Sequence, residues 1–399
     1  MDPNDRGLVK FTSLAHALFH TYELSIPLFV GLWISEFGTS AAIIGIVVGI
    51  GYAFIGIGAP VSGVLADRLS SRRLIVISVL GMGIGFGTLA LAQGILSLGL
   101  AVLFWGAFAS IYHPAGLSLI SRTAEQRGTV FAYHGAGGNV GTAIGPLTTA
   151  VLLMFAGWRL TAALLAAVAV AVAVVGGRVD FVSGVSSGTD GDSALTELRR
   201  MPGEIRTLFG LAFTLAFVAI LLYGTYYRGL LTFLPEILAE SPTLQPIELL
   251  GEEINPAQYV YTSLLTIGIA GQYAGGRLTD RVRSTTAFIW FLGILAGLAL
   301  LFPYVRTGSA VTFVGVCLLL GFFVYGTAPI YQVVIAERAH DDVQGLSYGF
   351  TYLAMFGIGA AGASVAGLVL THATSGALFA VLAAIAGAGV LSVGVLRRL

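Results

Sequence analysis

Twelve apolar runs, each long enough to cross a bilayer, leave this chain few ways to fold. A spanning helix needs about 20 consecutive apolar residues, and in hydrocarbon a helix satisfies its backbone polar groups internally. The runs lie near 10–35, 42–66, 74–93, 97–120, 128–155 and 158–177, and then near 207–238, 257–279, 285–304, 309–336, 345–371 and 374–396. Composition agrees with this pattern. Of the 399 residues 56% are hydrophobic and 10% charged, against roughly 25% charge in soluble domains. The 54 glycines are no obstacle, because small residues let membrane helices approach closely. The expected fold is an all-α membrane protein with twelve transmembrane helices.

A short basic turn occurs twice. Gly63-Val64-Leu65-Ala66-Asp67-Arg68, followed by Arg72 and Arg73, returns 213 positions later as Gly276-Arg277-Leu278-Thr279-Asp280-Arg281, followed by Arg283. Each copy closes one apolar run and opens the next. The longest hydrophilic interruption lies between the copies and contains a Ser-, Gly- and Asp-rich stretch at 183–192, a composition typical of flexible linkers. The chain therefore divides into a six-helix bundle over 1–178, a linker over 179–206 and a second bundle over 207–399. An even number of spans per half gives a parallel repeat. With both termini in the cytoplasm, Arg159 and Arg306 alone among the 20 basic residues fall outside and Arg228 lies within a span. The positive-inside rule selects that orientation, in a cell membrane. Duplicated halves with matched basic turns point to a transporter.

Several classes are set aside. Cys317 is the single cysteine, so no disulfide or redox motif is available. No Walker motif, haem motif or triad spacing suggests an enzyme, and no cofactor is implied. Gly135, Gly137 and Gly141 imitate a dinucleotide loop but lie in an apolar span, where close helix packing is the sound reading. No nucleic-acid partner is expected; the expected partners are the lipid bilayer, a small-molecule substrate and protons, with the chain a monomer.

The polar residues inside the runs carry the functional expectations. His16, His20 and Glu23 fall within an arc of about 60° at helical spacing. An ionised group at mid-membrane costs about 2.5–3.5 kcal/mol on the insertion scale, so this stripe faces protein or a cavity. It reads either as a proton relay or as a hydrogen-bonded trio holding the first span to the fourth. His113 and His134 add two titratable groups, and Pro114 should kink the fourth span. None of the histidines has ligand spacing for a metal beyond the first span, so no metal site is expected. Arg228 is the sole basic residue deep in a span. Its planar guanidinium suits a carboxylate, phosphate or phosphonate, and the other reading is snorkelling to the surface. Tyr227, Gln332 and Asn139 are further candidates for substrate contact. The stripe of Tyr348, Tyr352 and Phe356 reads mainly as core.

These residues resemble the major facilitator superfamily over essentially the whole chain. The family's turn between spans two and three is similar to Gly63–Arg73, and its repeat to Gly276, Asp280, Arg281 and Arg283. Gly137, Gly141, Gly145 and Pro146 resemble the antiporter signature of its export branches. Tyr112-His113-Pro114-Ala115-Gly116, the run from His134 to Gly141 and Arg228–Pro235 resemble the fosmidomycin-resistance group of exporters. The resemblance implies two pseudo-symmetric bundles around a cavity lined by spans one, four, seven and ten. It also implies that Gly63, Asp67, Arg68, Arg72, Arg73, Gly276, Asp280 and Arg281 form a conformational latch. Spans three, six, nine and twelve, which the family places at the periphery, carry no ionisable group at mid-depth here. The expected function is proton-coupled efflux of a small organic solute by alternating access, with Glu23, His20, His16, His113 and His134 handling the proton. Uptake of an organic anion, or sensing without transport, are the alternatives.

Overall fold

The computed structural model describes residues 1–182, 208–249, 252–338 and 344–399. Most of the expected linker over 179–206, including its 183–192 stretch, lies outside the described residues, as do the side chains of Asp67, Arg68 and Tyr348. Among the described residues the fold is helical apart from one antiparallel hairpin, β1 (Ile247–Leu249) with β2 (Glu252–Ile254). The first half contains α1 (Pro3–Glu36), α2 (Ala41–Arg68), α3 (Ser71–Ala90), α4 (Ile95–Thr123), α5 (Arg127–Phe155) and α6 (Trp158–Gly177). The second contains α7 (Leu211–Ala239), α8 (Pro256–Thr279), α9 (Ser284–Val305) and α10 (Ala310–Ala336). Its eleventh span is α11 (Gln344–Tyr352), a π turn (Leu353–Gly357), a 3-10 turn (Ile358–Ala360) and α12 (Ala361–His372); α13 (Ser375–Leu396) is the twelfth. Among the described residues eleven helices are long and apolar enough to cross a membrane. The remaining long helix is α8, which carries Gln258, Gln272 and Arg277 among its apolar residues.

Helix ends follow local chemistry. Asp2 caps α1 by accepting from Asp5 N at 2.7 Å, and Pro3 occupies the first turn, where a missing N–H costs nothing. The cap carries α1 seven residues beyond the apolar run that announced it. Asn255 and Pro256 start α8 the same way, with Ala257 N donating to the Asn255 side chain at 3.0 Å. Thr374 caps α13 through Ala377 N at 3.2 Å.

The helices group into two compact units. One holds residues 1–37 with 50 onward through α6, and the other holds Gly38–Gly49 with α7 to α13. In the first, α1 packs on α5, and α3 on α4 and α6. In the second, α8 packs on α10, α9 on α13, and α7 on α12 and α13. Glycines set the closest of these approaches. A Cβ at Gly141 of α5 would lie 2.0 Å from the Ala17 carbonyl oxygen of α1, and one at Gly145 would lie 2.5 Å from Thr21 Cα. In the second unit a Cβ at Gly362 would lie 2.0 Å from the Thr225 carbonyl oxygen. Likewise a Cβ at Gly106 would lie 2.0 Å from the Gly51 carbonyl oxygen, and one at Gly321 would lie 2.1 Å from the Leu264 carbonyl oxygen. The duplication thus reappears in three dimensions. Offsets of 208 (α1 to α7), 213 (α2 to α8), 215 (α4 to α10) and 221 (α5 to α12) bring the Ala17–Gly141 contact onto Thr225–Gly362 and the Gly51–Gly106 contact onto Leu264–Gly321.

Candidate functional site

Glu23 owes its setting to a proline four residues later. Pro27 lies inside α1 and has no N–H for the Glu23 carbonyl. Tyr52 of α2 supplies the missing donor, its hydroxyl reaching that oxygen at 2.7 Å. The Glu23 side chain is 0% exposed and its Oε2 lies 2.7 Å from His20 Nδ1. The helical stripe read from the sequence is therefore real, with Glu23 and His20 in direct contact one turn apart.

His16 lies one turn below His20, with ring centroids 4.9 Å apart. The glycines of α5 make room for it. A Cβ at Gly138 would lie 2.6 Å from His16 Cε1, so only glycine seats the ring there. His16 Nδ1 lies 2.8 Å from the His134 carbonyl oxygen, which can only accept, so Nδ1 carries the proton. The His134 ring stacks on His16 at 4.1 Å and 14°. From α4, His113 stands edge-on to His16 at 5.2 Å and lies 6.0 Å from His20. All five expected proton-handling residues thus gather in one unit, on α1, α4 and α5. The bond from His16 goes to α5, whereas the structural reading had tied the trio to the fourth span. Tyr112 anchors α4 beside them by donating to the Thr12 carbonyl at 2.7 Å. Asn139 is half-buried next to Gly138. Gly137 packs on Ser13, where a Cβ would meet Ser13 Cβ at 2.6 Å, and Pro146 is buried within α5.

Spacing along the chain speaks against a metal site. Packing of separate helices overrides spacing, and ring nitrogens of His16, His20 and His113 lie within 4.8 Å of one another.

In the second unit Arg228 is 2% exposed, which excludes snorkelling. Its guanidinium carbon lies 5.1 Å from the Tyr227 ring centroid and 5.5 Å from that of Phe356, within the range of cation–π attraction. Phe356 belongs to the π turn. Tyr227 in turn shares a hydroxyl contact of 3.3 Å with Tyr325 of α10. Gln332 is exposed on α10 and is not part of this aromatic box. Phe356 and Tyr325 take the place expected for it. The only sequence signal for Phe356 was its stripe with Tyr352, whose ring it meets at 5.7 Å.

The repeated turns show what their arginines bind within each unit. Arg72 donates to the Gly177 and Val179 carbonyls at 3.1 and 2.9 Å and lies 4.7 Å from the Phe181 ring, so it caps the C-terminal end of α6. Arg122, absent from the expected set, donates to the Ala66 carbonyl at 2.5 Å and to Ser71 Oγ at 2.8 Å. At the equivalent place in the second unit the sign is reversed, with Ser284 Oγ donating to Glu337 Oε2 at 2.5 Å. Arg73, Asp280 and Arg281 are exposed. Gly63 has open space beside it and Gly276 only ordinary contact with Pro329, so neither glycine is demanded by packing. At the start of α1, Asp5 is buried and accepts from Glu125 N and Gln126 N at 3.1 and 2.9 Å, fixing the α4–α5 turn. The Asp5 N–H holds the Asp2 carboxyl below the usual carboxylate range. Its hydrogen bond with Asp2, and the charge of Asp2, push Glu125 up.

Comparison with known proteins agrees with this architecture. A family model described as Major Facilitator Superfamily matches residues 12–364. The chain is 25% identical over 399 residues to the Fosmidomycin resistance protein of Escherichia coli, covering 97% of this chain and 92% of that one. It is also 25% identical over 406 residues to the membrane sensor protein UhpC of the same organism, covering 95% and 89%. Among solved structures, a bacterial homolog of the human lysosomal transporter Spinster matches with a TM-score of 0.72 at 17% identity, over 99% of this chain and 96% of that one. A peptide transporter of the POT type in complex with sulfate matches with a TM-score of 0.76 at 14% identity, over 98% and 94%. At such identities the likeness is one of fold.

Proposed function

Because the chain belongs to the Major Facilitator Superfamily and is a multi-pass membrane transporter of that type, we propose that it exports a small organic solute in exchange for protons. The observation that carries the proposal is the contact at 2.7 Å between the buried Glu23 carboxyl and half-buried His20. An ion at membrane depth is costly, and a carboxyl in direct contact with an imidazole can pass a proton to it, so the pair is suited to taking up and releasing one proton. Glu23 is the proton carrier and His20 its partner, with His16, His113 and His134 extending the relay. Arg228 supplies the substrate contact, since a desolvated guanidinium stacked on rings presents a planar fork to an anionic group. Tyr227 lines that contact; Asn139 and Gln332 rank below it. A substrate drives the switch between states only by binding them differently, and the repeated basic turns are the latch between those states. The protein acts in the cell membrane as a monomer with both termini cytoplasmic, its bundles being 1–178 and 207–399.

The relative named for fosmidomycin resistance favours export. A second reading, uptake of an organic anion, draws support from Arg228 and from a 28% match over 151 residues to a probable hexose phosphate transport protein of Chlamydia trachomatis, 37% of this chain and 32% of that one. Reconstitution in liposomes tests the proton assignment. Glu23→Gln, which mimics the protonated acid, should keep substrate counterflow and lose accumulation driven by a pH gradient. Gradient-driven accumulation that survives in Glu23→Gln removes Glu23 from the coupling role. The sign of the gradient that drives accumulation separates export from uptake.

A further inference from the structure

One buried imidazole is already oriented as a metal ligand, and a half-buried neighbour becomes so once Glu23 is ionised. His16 gives its Nδ1 proton to the His134 carbonyl at 2.8 Å, which leaves Nε2 as a bare lone pair. That Nε2 is buried and has no hydrogen-bond partner, although the side chain is only 8% exposed. A buried acceptor left in this way is costly unless something fills the place beside it. His20 repeats the arrangement with a carboxylate, its Nδ1 lying 2.7 Å from Glu23 Oε2, so its Nε2 is also a lone pair when Glu23 is ionised. Metal-binding histidines characteristically direct their other N–H to a backbone carbonyl or a carboxylate, which fixes tautomer and ring orientation. Both versions occur here, on residues four apart on one helix. His113 brings a ring nitrogen from α4, and one ring nitrogen from each of the three histidines lies within 4.8 Å of the others.

We propose that His16, His20 and His113 form a binding site for a late first-row divalent cation, Zn²⁺ above all, with a fourth position open to water or a ligand. Imidazole nitrogen selects this class and disfavours Mg²⁺ and Ca²⁺, which take oxygen donors. Zinc–nitrogen bonds of about 2.0–2.1 Å set tetrahedral donors roughly 3.4 Å apart, so the rings close by about 1 Å on binding. Gly138 on one face and the stacked His134 ring on the other already hold His16 in place. The site stands whether or not the chain couples transport to protons, because it needs only the three imidazoles. Where coupling does use Glu23 and His20, bound zinc and the coupled proton exclude each other.

Titration of the full-length purified protein in detergent with Zn²⁺, and with Co²⁺ as a spectroscopic probe, tests the site. The expected result is one Zn²⁺ per chain and Co²⁺ absorption of tetrahedral type. His16→Ala, His20→Ala and His113→Ala should abolish both. Glu23→Gln should weaken zinc binding by about 10- to 100-fold by loosening the hold on the His20 ring, and His372→Ala, at the exposed end of α12, should change nothing. Zinc-edge absorption on the unaltered protein provides a measurement independent of how the variants fold, with three imidazoles expected per zinc. Absence of stoichiometric binding, a count of one imidazole or none, or full affinity after loss of two of the three histidines overturns the proposal.

Discussion

In the first unit Ala17 turns its carbonyl to Gly141, and in the second Thr225 turns its carbonyl to Gly362. The same offsets bring His16 beside Gly138 and Gly224 beside Gly359. The backbone contacts coincide, but the side chains around them do not. In this register His20 falls on Arg228, and the imidazole cluster of one half has as its counterpart in the other a guanidinium beside aromatic rings. The signature turn behaves alike, with Arg122 bonded to Ser71 where Glu337 is bonded to Ser284. Duplication kept the places where no side chain fits and let the remaining positions diverge. The imidazoles carry charge that depends on pH, and the guanidinium carries charge that does not.

That division can be broken most severely at Arg228. Arg228→Ala should weaken binding of acidic substrates by about 10- to 100-fold, the loss of a charged hydrogen-bonding group being worth about 1.5–3 kcal/mol. Arg228→Lys should recover only part of this, since an ammonium lacks the fork. Unaltered affinity in Arg228→Ala, measured by substrate-induced thermal shift, would mean that the fixed charge of the second half does not hold substrate. Next come the matched glycines. Gly141→Ala and Gly362→Ala should each destabilise the protein by about 1–3 kcal/mol, overpacking outweighing the better helix propensity of alanine. Equal losses of thermal stability would extend the equivalence of the halves from geometry to energy, and a loss in one alone would confine it to geometry. Gly63→Ala, in open space, is the control.

Smaller effects are expected at the turns. Arg122→Gln and Glu337→Gln should each cost about 0.5–1.5 kcal/mol in thermal unfolding, the net value of a hydrogen bond. No change in either would mean that the reversal of sign there carries no stability. The smallest effect concerns the caps of the first helices, Asp2 on α1 and Gly210, which has no side-chain cap, on α7. Asp2 titrates below its ordinary range in the folded protein, so its stabilisation is complete above the unfolded value and lost as pH falls through the lower folded one. Glu125 runs the opposite way, its contribution fading as pH rises through its raised value. Acid should therefore lower the melting temperature slightly more in the unaltered chain than in Asp2→Asn. Identical acid profiles would remove the cap from the list of differences between the halves.

Much of this was legible in the sequence, and for identifiable reasons. Lipid imposes a length on apolar runs, so the twelve spans could be read directly, although the cap at Asp2 set the start of α1 where hydropathy did not. The His16–His20–Glu23 stripe was legible because neighbours on one helix follow its period. Its meeting with His113 and His134 was not, since spacing along the chain does not report which helices touch. The glycines carried that information, but only in combination with Ala17 and Thr21 across the contact. For Arg228 the depth was readable and the company was not. Gln332 read as a substrate contact and Phe356 mainly as core, yet Gln332 is exposed on α10 and half-buried Phe356 meets the guanidinium because of how the π turn packs.

The π turn at Leu353–Gly357 has a consequence for how these halves can be compared as descendants of one gene. Such a turn accommodates one residue more than an α-helix does over the same rise, and its counterpart α5 runs unbroken from Arg127 to Phe155. The 3-10 turn that follows, Ile358–Ala360, is wound tighter and takes that surplus back. Two spans can therefore descend from one sequence and agree at both ends of the helix while differing in winding between them, and here the differing stretch is the one that carries Phe356 to Arg228.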